Sequence, residues 1–198
     1  MLVLASASPR RQDLLRNAGI PFTVQPADID ETPLPNESPV ACVERLAREK
    51  TLAISKLRPL DLVLGADTTV VVNGVMLAKP ADAEDAGRML RLLSGCTHQV
   101  ITGVCLAAPQ PETKKQDQRT ENFELKTASE TTLVTFATLS DADIRDYVAT
   151  GEPKDKAGAY AIQGIASRWI PRIEGDYSNV VGLPVALVCR MLRQQGYL

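Results

Sequence analysis

The sequence predicts an α/β fold in which a central mixed sheet is flanked by helices. Short apolar runs, each suited to one buried strand, alternate along the chain with segments that carry helix-cap signals. Hydrophobic residues make up 44% of the 198 residues, which is enough for a real core and argues against disorder. No linker or internal repeat divides the chain, and the length suits one domain or two small lobes that share a core. We therefore expect a single domain over residues 1–198.

The first half of the chain alternates strands with helices and then forms a hairpin. Ser8-Pro9 and Ser38-Pro39 each place a capping hydroxyl before a proline, which suits the first helical position, and Asn73-Gly74 is a hairpin turn signal. In order, we predict a strand at Leu2–Ala5, a helix from Pro9 that stops at Gly19, a strand at Phe22–Gln25, a loop at Asp28–Asn36, a helix after Ser38 that runs through Ile54, a strand at Leu60–Gly65 and a hairpin at Val70–Leu77.

The second half continues the alternation. Asp82 caps a helix that Ser94-Gly95 closes, and Pro109–Asn122 holds no aliphatic residue, which indicates a solvated loop between two strands. In order, we predict a helix from Asp82 to Leu93, a strand at Gln99–Ala108, a strand at Thr131–Thr138, a helix to Ala149, a strand at Arg168–Glu174, a polar loop at Gly175–Pro184 and a last helix to Gln194.

The composition excludes several classes of function. The single histidine, His98, rules out a two-histidine zinc site and a relay between two histidines. Acid–base chemistry therefore falls to carboxylates, Lys or metal-bound water, and we expect His98 to stabilise a turn, with a substrate contact as the alternative. With 22 Lys and Arg against 24 Asp and Glu, the net charge is −2, and aromatic residues are only 4%, so nucleic acid is not an expected partner.

The cysteines and the N-terminus indicate a cytoplasmic protein. None of the four cysteines forms a CxxC pair, so we expect small buried residues in a reducing cytosol. The apolar run Met1–Ser8 is too short for a signal peptide and is followed at once by arginines. No stretch approaches the roughly 20 apolar residues of a membrane span, so no membrane partner is expected.

The turn between the first strand and the first helix is a candidate anion site. Ser6 and Ser8 supply hydroxyls, and Arg10 and Arg11 supply guanidinium groups, next to the free backbone N–H groups of a helix start. The alternative is a capped helix with two solvated arginines. The chain has no GxxxxGK[ST] loop, so a Walker-type nucleotide hydrolase is disfavoured.

Other candidate groups lie further along the chain. Asp67 follows a predicted buried strand, where α/β sheets place ligands, and a carboxylate there can bind Mg²⁺ or accept a proton from water. Lys79, before Pro80, could neutralise phosphate, and Gln163 offers a donor and an acceptor that suit a base edge. Each has an ordinary alternative: a turn residue, an exposed lysine or a turn-rich connection. With the acidic pair Asp30/Glu31, the set fits a nucleotide whose phosphates are cleaved with help from a metal.

Motifs along nearly the whole chain resemble the Maf family of nucleoside triphosphate pyrophosphatases. They are LASASPRR (4–11), DIDET (28–32), RLAREK (45–50), GADTTV (65–70), KP (79–80), LSGCTHQVITGV (93–104), GEPKDKAGAYAIQG (151–164) and GDYSNVVGLP (175–184). The resemblance implies a mixed α/β fold with two lobes around a nucleotide cleft, often in a homodimer. It also implies hydrolysis of a nucleoside triphosphate to the monophosphate and pyrophosphate with a divalent cation, Mg²⁺ or Mn²⁺.

The resemblance also implies residue roles. Asp67 looks like the catalytic proton acceptor, Glu31 would help to hold metal or water, and both are candidate metal ligands. The triphosphate would be held by Ser6, Ser8, Arg10, Arg11, Lys50 and Lys79. Arg10, Thr68 and Gln163 resemble the group that acts on dTTP and UTP, whereas the sister group that acts on 7-methyl-GTP tends to have an aromatic residue, Gln and Glu there.

Two further functions stay open at this point. The family has been linked to arrest of septum formation, so the chain could be a cell-division regulator that acts through protein partners. It could also be a housecleaning enzyme that keeps modified pyrimidine nucleotides out of nucleic acids.

Overall fold

The computed structural model describes residues 1–109 and 123–198. Within these ranges, seven strands form one mixed sheet in the order β2-β1-β3-β5-β6-β7, with β4 paired to β3. The strands are β1 (Leu2–Leu4), β2 (Thr23–Val24), β3 (Leu62–Val72), β4 (Val75–Leu77), β5 (Thr97–Pro109), β6 (Phe123–Thr135) and β7 (Arg172–Glu174). The α-helices of the described ranges are α1 (Pro9–Asn17), α2 (Pro39–Ser55), α3 (Ala83–Leu93), α4 (Asp141–Ala149), α5 (Tyr177–Val181) and α6 (Val185–Gln194). The predicted α/β class with a central mixed sheet is therefore confirmed.

The described residues divide into two compact units. The first comprises Met1–Asp67, Gly103–Ser129 and Val185–Leu198, and the second comprises Thr68–Thr102 and Glu130–Pro184. The predicted nucleotide cleft and the single functional domain stay predictions. None of the helices that the structure describes has the length and apolarity needed to cross a membrane.

Parallel strands build the core of the first unit. In this unit, β1 pairs in parallel with β2 and with the start of β3, as expected for buried apolar strands. Val3, Val63 and Ile54 pack in one buried cluster, so the inner face of α2 lies against these strands. Ser38 caps α2 by accepting a hydrogen bond from the backbone N–H of Ala41, as the Ser-Pro signal predicts.

Two glycines allow α2 to approach the sheet closely. A Cβ at Gly65 would collide with the Thr51 hydroxyl and the Ala47 carbonyl oxygen. A Cβ at Gly103 would collide with the Val43 carbonyl oxygen. These glycines therefore serve backbone-to-backbone packing rather than turns.

A hairpin and capped helices organise the second unit. The end of β3 pairs antiparallel with β4 across the predicted turn, where Asn73 and Gly74 have φ of 50° and 77°. Ser140 and Asp143 form a reciprocal capping box at the start of α4.

Several predicted boundaries are wrong. The strand expected to stop at Gly65 continues as β3 to Val72, because Gly65 accommodates α2 and does not end the strand. The strand expected from Thr131 begins at Phe123, where Phe123 and Leu125 pack against the core of the first unit. The predicted Pro109–Asn122 loop lies outside the described residues, apart from Pro109 at the end of β5.

Near the C-terminus, two further predictions need correction. Of the strand predicted at Arg168–Glu174, only the last three residues form β7, and a 3₁₀ helix occupies Ile165–Trp169. The polar loop predicted at Gly175–Pro184 contains α5, because the Asp176 carboxylate accepts hydrogen bonds from the N–H groups of Ser178 and Asn179 and so starts a helix.

Candidate active site

The strand-to-helix turn of the first unit gathers hydroxyls and a guanidinium group. Ser8 caps α1, and the hydroxyl of Ser6 accepts hydrogen bonds from the Ser8 N–H at 3.3 Å and from Arg11 Nη1 at 3.1 Å. Arg11 Nη1 also donates to the Ala66 carbonyl oxygen at 2.9 Å, which ties the guanidinium group to β3 beside Asp67. Arg10 and Arg11 are both half-buried, and Arg11 is bonded to the sheet, whereas the alternative reading had both arginines in solvent.

Burial and the charge of Asp67 shift the pKa of Arg11 in opposite directions. Burial lowers the pKa of its guanidinium group, and the nearby carboxylate of Asp67 partly offsets this effect. Arg11 therefore stays cationic at neutral pH, since an arginine begins far above that range. A half-buried guanidinium group has the planar fork of N–H donors that suits the oxygens of a phosphate.

A lysine between two carboxylates forms the centre of the candidate site. Lys50 Nζ lies 2.6 Å from Glu31 Oε1 and 2.6 Å from Asp67 Oδ1. Lys50 is only 6% exposed, because it shares the buried stripe of α2 with Ala47 and Ile54. The three groups come from three different segments: a stretch without helix or strand, α2 and the middle of β3.

The structure places several of the residues singled out in the sequence close together. Glu31 and Asp67 both contact Lys50, and their predicted roles as proton acceptor and metal ligands stay predictions. Lys50, expected to hold the triphosphate, lies between these carboxylates. The position of Asp67 at the end of a strand is wrong: it lies inside β3, with Gly65 before it and Thr68 after it. Asp67 is therefore not at a strand end, and its catalytic role stays a prediction.

Arg45, which no sequence pattern singled out, holds the segment that carries Glu31. Its guanidinium group donates to both carboxylate oxygens of Glu37, at 2.7 and 2.8 Å, and to the Thr32 carbonyl oxygen at 3.2 Å. Glu37 also accepts the Leu34 N–H at 3.0 Å, and the Arg45 hydrogen bond is the main cause that lowers the pKa of Glu37 to about 2. A bidentate Arg–Glu pair therefore anchors the segment on α2. The spacing of Arg45 and Glu49 was the one visible signal.

Thr68 belongs to a hydroxyl cluster in the second unit. Thr68 Oγ1 lies 2.9 Å from Thr102 Oγ1 and 3.4 Å from the Gly182 carbonyl oxygen. The Thr102 hydroxyl also donates to the Asn179 carbonyl oxygen at 3.3 Å. The GDYSNVVGLP stretch therefore positions a predicted specificity residue, a role that the sequence alone did not indicate.

Lys79 and Gln163 are both exposed and lie on separate segments of the second unit. Lys79 follows β4, with Ala78 between them. Gln163 occupies a turn that the Gly164 N–H closes onto the Ala161 carbonyl oxygen at 3.0 Å. Both side chains are accessible to a ligand.

His98 lies in a buried aromatic cluster within the second unit. It is 2% exposed, stacks on Phe136 with ring centroids 5.4 Å apart, and its Nε2 lies 2.8 Å from the Tyr160 hydroxyl. Burial lowers the pKa of His98 to about 4, so the ring is neutral at pH 7. The hydrogen bond of His98 therefore lies inside a buried core, whereas the sequence predicted one that stabilises a turn.

The donor set fits a hard divalent cation. Two carboxylate oxygens converge on one point of positive charge, the Lys50 ammonium group. Mg²⁺ is commonly held by one or two carboxylates together with substrate phosphates and water, and Mn²⁺ prefers similar ligands. No group of three or more His, Cys, Asp or Glu side chains that could hold a metal occurs in residues 1–109 and 123–198. The pair Glu31 and Asp67 therefore suits a cation that arrives with phosphates.

Comparisons with known proteins agree with the fold and the motifs. The structure of the Staphylococcus aureus Ham1 protein matches with a TM-score of 0.50 at 15% identity, covering 98% of each chain, which shows a shared fold. A relative from Koribacter versatilis, named dTTP/UTP pyrophosphatase, is 52% identical over 100% of this chain and 95% of its own length. Relatives with the same name from Symbiobacterium thermophilum and Geobacter sp. strain M21 are 51% and 50% identical, over 99% and 100% of this chain and 94% and 96% of their own lengths. The family model described as Maf-like protein matches residues 1–195. The chain belongs to the Maf family, as its motifs predict.

Proposed function

We propose that this chain hydrolyses dTTP and UTP to the monophosphate and pyrophosphate. The observation that carries the proposal is the convergence of Glu31 and Asp67 on Lys50, in a family whose members at about 50% identity are named dTTP/UTP pyrophosphatase. The arrangement supplies carboxylates for a proton and a metal, and cations for phosphate.

In the proposed reaction, a water oxygen attacks the α-phosphorus and the bond from that phosphorus to the bridging oxygen breaks. Asp67 accepts the proton of the water or serves as a metal ligand, and the electron pair leaves with pyrophosphate. Mg²⁺ or Mn²⁺, held by Asp67 and Glu31 with the phosphates, would supply charge neutralisation and a more acidic water. Arg10, Arg11 and Lys79 stabilise the charge that develops on the leaving group.

Lys50 has two candidate partners in this scheme. In the structure its ammonium group forms ion pairs with both Glu31 and Asp67. When a metal–nucleotide complex binds, the ammonium group is released to contact phosphate oxygens, which is its predicted role. The lysine thus holds the two carboxylates at one point until substrate arrives.

Base selection is proposed to rest mainly on Gln163, in the second unit. The Gln163 amide can donate to a carbonyl and accept from the N–H of a uracil or thymine edge, whereas a carboxylate at this position would suit a cationic methylated purine. Thr68 and Arg10 complete the proposed specificity set. The three are proposed from the resemblance and from the accessibility of Gln163.

We further propose that residues 1–198 act as one functional domain in a cytoplasmic homodimer. The span of the family match over residues 1–195 supports one functional domain, and the cytoplasm is where nucleoside triphosphates are used. Light scattering coupled to size-exclusion chromatography measures the mass directly, and a monomer would refute the dimer without affecting the proposed reaction.

The test is pyrophosphate release from a panel of nucleotides with Mg²⁺ or Mn²⁺. We expect the highest kcat/KM with dTTP and UTP, and 5-methyl-UTP and pseudo-UTP decide whether modified pyrimidines are preferred. Asp13→Asn is a matched control for Asp67→Asn, because Asp13 is exposed on α1 and pairs with Arg16 of the same helix. Preference for 7-methyl-GTP would move the chain to the sister group. Absence of release from every nucleotide would refute the enzyme and favour a cell-division regulator.

A further inference from the structure

The turn that carries Gln163 is held at both ends by one partly buried hydrogen-bond network. The hydroxyl of Tyr147, on α4, accepts the Ala161 N–H at 3.2 Å, two residues before Gln163. The same hydroxyl donates to Glu152 Oε1 at 2.7 Å. Glu152 in turn accepts the Ile165 N–H, two residues after Gln163, at 3.1 Å to Oε1 and 3.2 Å to Oε2.

Close packing reinforces this network. A Cβ at Gly164 would collide with both carboxylate oxygens of Glu152, so the backbone beside Gln163 lies directly against that carboxylate. Lys156 Nζ donates to the Glu152 carbonyl oxygen at 2.7 Å, which fixes the segment that carries Glu152 itself. Tyr147 is 1% exposed and packs edge-on against Trp169 at 5.5 Å, so its hydroxyl has little freedom to move.

The backbone N–H groups of this turn have protein side chains as partners in places where water could serve. Backbone N–H groups in an exposed turn can bond to water, yet here two of them are satisfied by one buried hydroxyl and one carboxylate. Such buried polar groups cost free energy when only partly satisfied, and fully satisfied they rigidify the segment that they hold. The Gln163 side chain itself stays exposed.

We propose that Tyr147 and Glu152 are positioning residues for base selection. They act through Gln163, by fixing the turn so that its amide meets the base edge in one orientation. The inference rests on the proposed function, since it names what sets the selectivity of that same site. Because a preformed amide keeps its hydrogen bonds to the right base and leaves the wrong base unpaired, a loosened turn lowers discrimination.

The experiment compares kcat/KM for UTP with kcat/KM for GTP in the full-length protein. Tyr147→Phe removes one hydroxyl without changing the ring, and we expect the UTP/GTP ratio to fall about five- to tenfold, the scale of one hydrogen bond. Tyr197→Phe is the matched control, because its hydroxyl also accepts a backbone N–H, of Leu2 at 3.2 Å, and donates to a carbonyl oxygen, of Pro21 at 2.9 Å. We expect Tyr197→Phe to lower stability and leave the ratio unchanged.

A double-mutant cycle separates positioning from general damage. In a Gln163→Ala background, Tyr147→Phe should cause no further loss of the UTP/GTP ratio, because the amide that it positions is gone. Glu152→Gln retains one carbonyl acceptor and should restore part of the ratio that Glu152→Ala loses. Circular dichroism identifies any variant that fails to fold. If the Glu152 variants do not fold, the UTP/GTP ratio of Tyr147→Phe decides whether the turn is positioned in this way.

The outcomes distinguish failure of the proposed pyrophosphatase activity from failure of the positioning role. Wild-type protein that releases no pyrophosphate overturns the proposed function and this inference with it. Active wild-type protein with an unchanged ratio in Tyr147→Phe overturns the inference alone. An equal loss of the ratio with and without Gln163 also overturns it, since the tyrosine would then act by another route.

Discussion

Substitution of Gly65 by Ala should destabilise the protein, because this glycine allows α2 to lie directly on β3. The new Cβ would collide with the Thr51 hydroxyl and the Ala47 carbonyl oxygen and would lie 3.0 Å from the Thr51 amide nitrogen. The Thr51 hydroxyl cannot move away without losing hydrogen bonds, since it donates to the carbonyl oxygens of Ala47 at 2.8 Å and Cys105 at 3.1 Å. Ordinary non-bonded contacts are about 3.5 Å or longer, so α2 would have to retreat by about 1 Å.

The expected cost of Gly65→Ala is about 2–3 kcal/mol in the free energy of unfolding, the upper part of the range for overpacked cores. For a chain of this length that lowers Tm by roughly 5–10 °C. A retreat of α2 would also draw Lys50 Nζ away from Asp67, now 2.6 Å apart, so kcat/KM should fall together with Tm.

Gly87→Ala provides the matched control with the opposite sign. Gly87 lies inside α3, where a new Cβ would make ordinary contacts, 3.5 Å from Arg91 Nη1 and 3.7 Å from Ile144 Cγ2. Alanine is favoured over glycine in a helix by about 0.5–1 kcal/mol, so Tm should rise by about 2 °C with activity unchanged. Urea and thermal unfolding followed by circular dichroism measure both variants. A Gly65→Ala protein as stable as wild type would refute the reasoning from close approach.

Three further variants test the site and the core. Asp67→Asn should lower kcat by about 100-fold or more, the scale of a lost general base, and pyrophosphate release near the wild-type rate would remove Asp67 from the mechanism. Arg45→Met should free the segment that carries Glu31 and raise the Mn²⁺ concentration needed for half-maximal activity, and an unchanged metal titration would contradict that role. Because burial lowers the pKa of His98 to about 4, the unfolded chain takes up the proton first as the pH falls below 6.5. The free energy of unfolding should therefore drop by about 2 kcal/mol between pH 7.5 and 5. In His98→Gln this drop should largely disappear, and equal slopes in the two proteins would exclude the histidine as its cause.

Much of the fold could be predicted because local signals determine it. Ser-Pro pairs mark the starts of α1 and α2, and Asn73-Gly74 marks the hairpin. The wrong strand end at Gly65 has a physical cause: glycine serves turns and close packing alike, and the sequence does not show which partner approaches it.

The candidate site was predicted less completely. Acidic and basic residues could be proposed from their types, and their motifs led to the family. The contacts of Arg45 with Glu37, and of Tyr147 with the Gln163 turn, arise only when segments fold onto one another. No local pattern specifies such contacts, because they depend on packing and not on helical or strand periodicity. A short motif can therefore indicate a candidate reacting residue without indicating the residues that hold it in position.

Asp67 lies in the middle of an 11-residue strand, so one part of the candidate site has a locally more stable backbone than the other. Backbone amides within a sheet exchange with solvent only through large-scale opening, whereas a stretch without helix or strand opens at far lower cost. Asp67 belongs to the first kind of backbone and Glu31 to the second. On warming, the Glu31 segment should therefore detach while β3 is still intact. Loss of activity would then begin as a reversible local event, well before the chain unfolds.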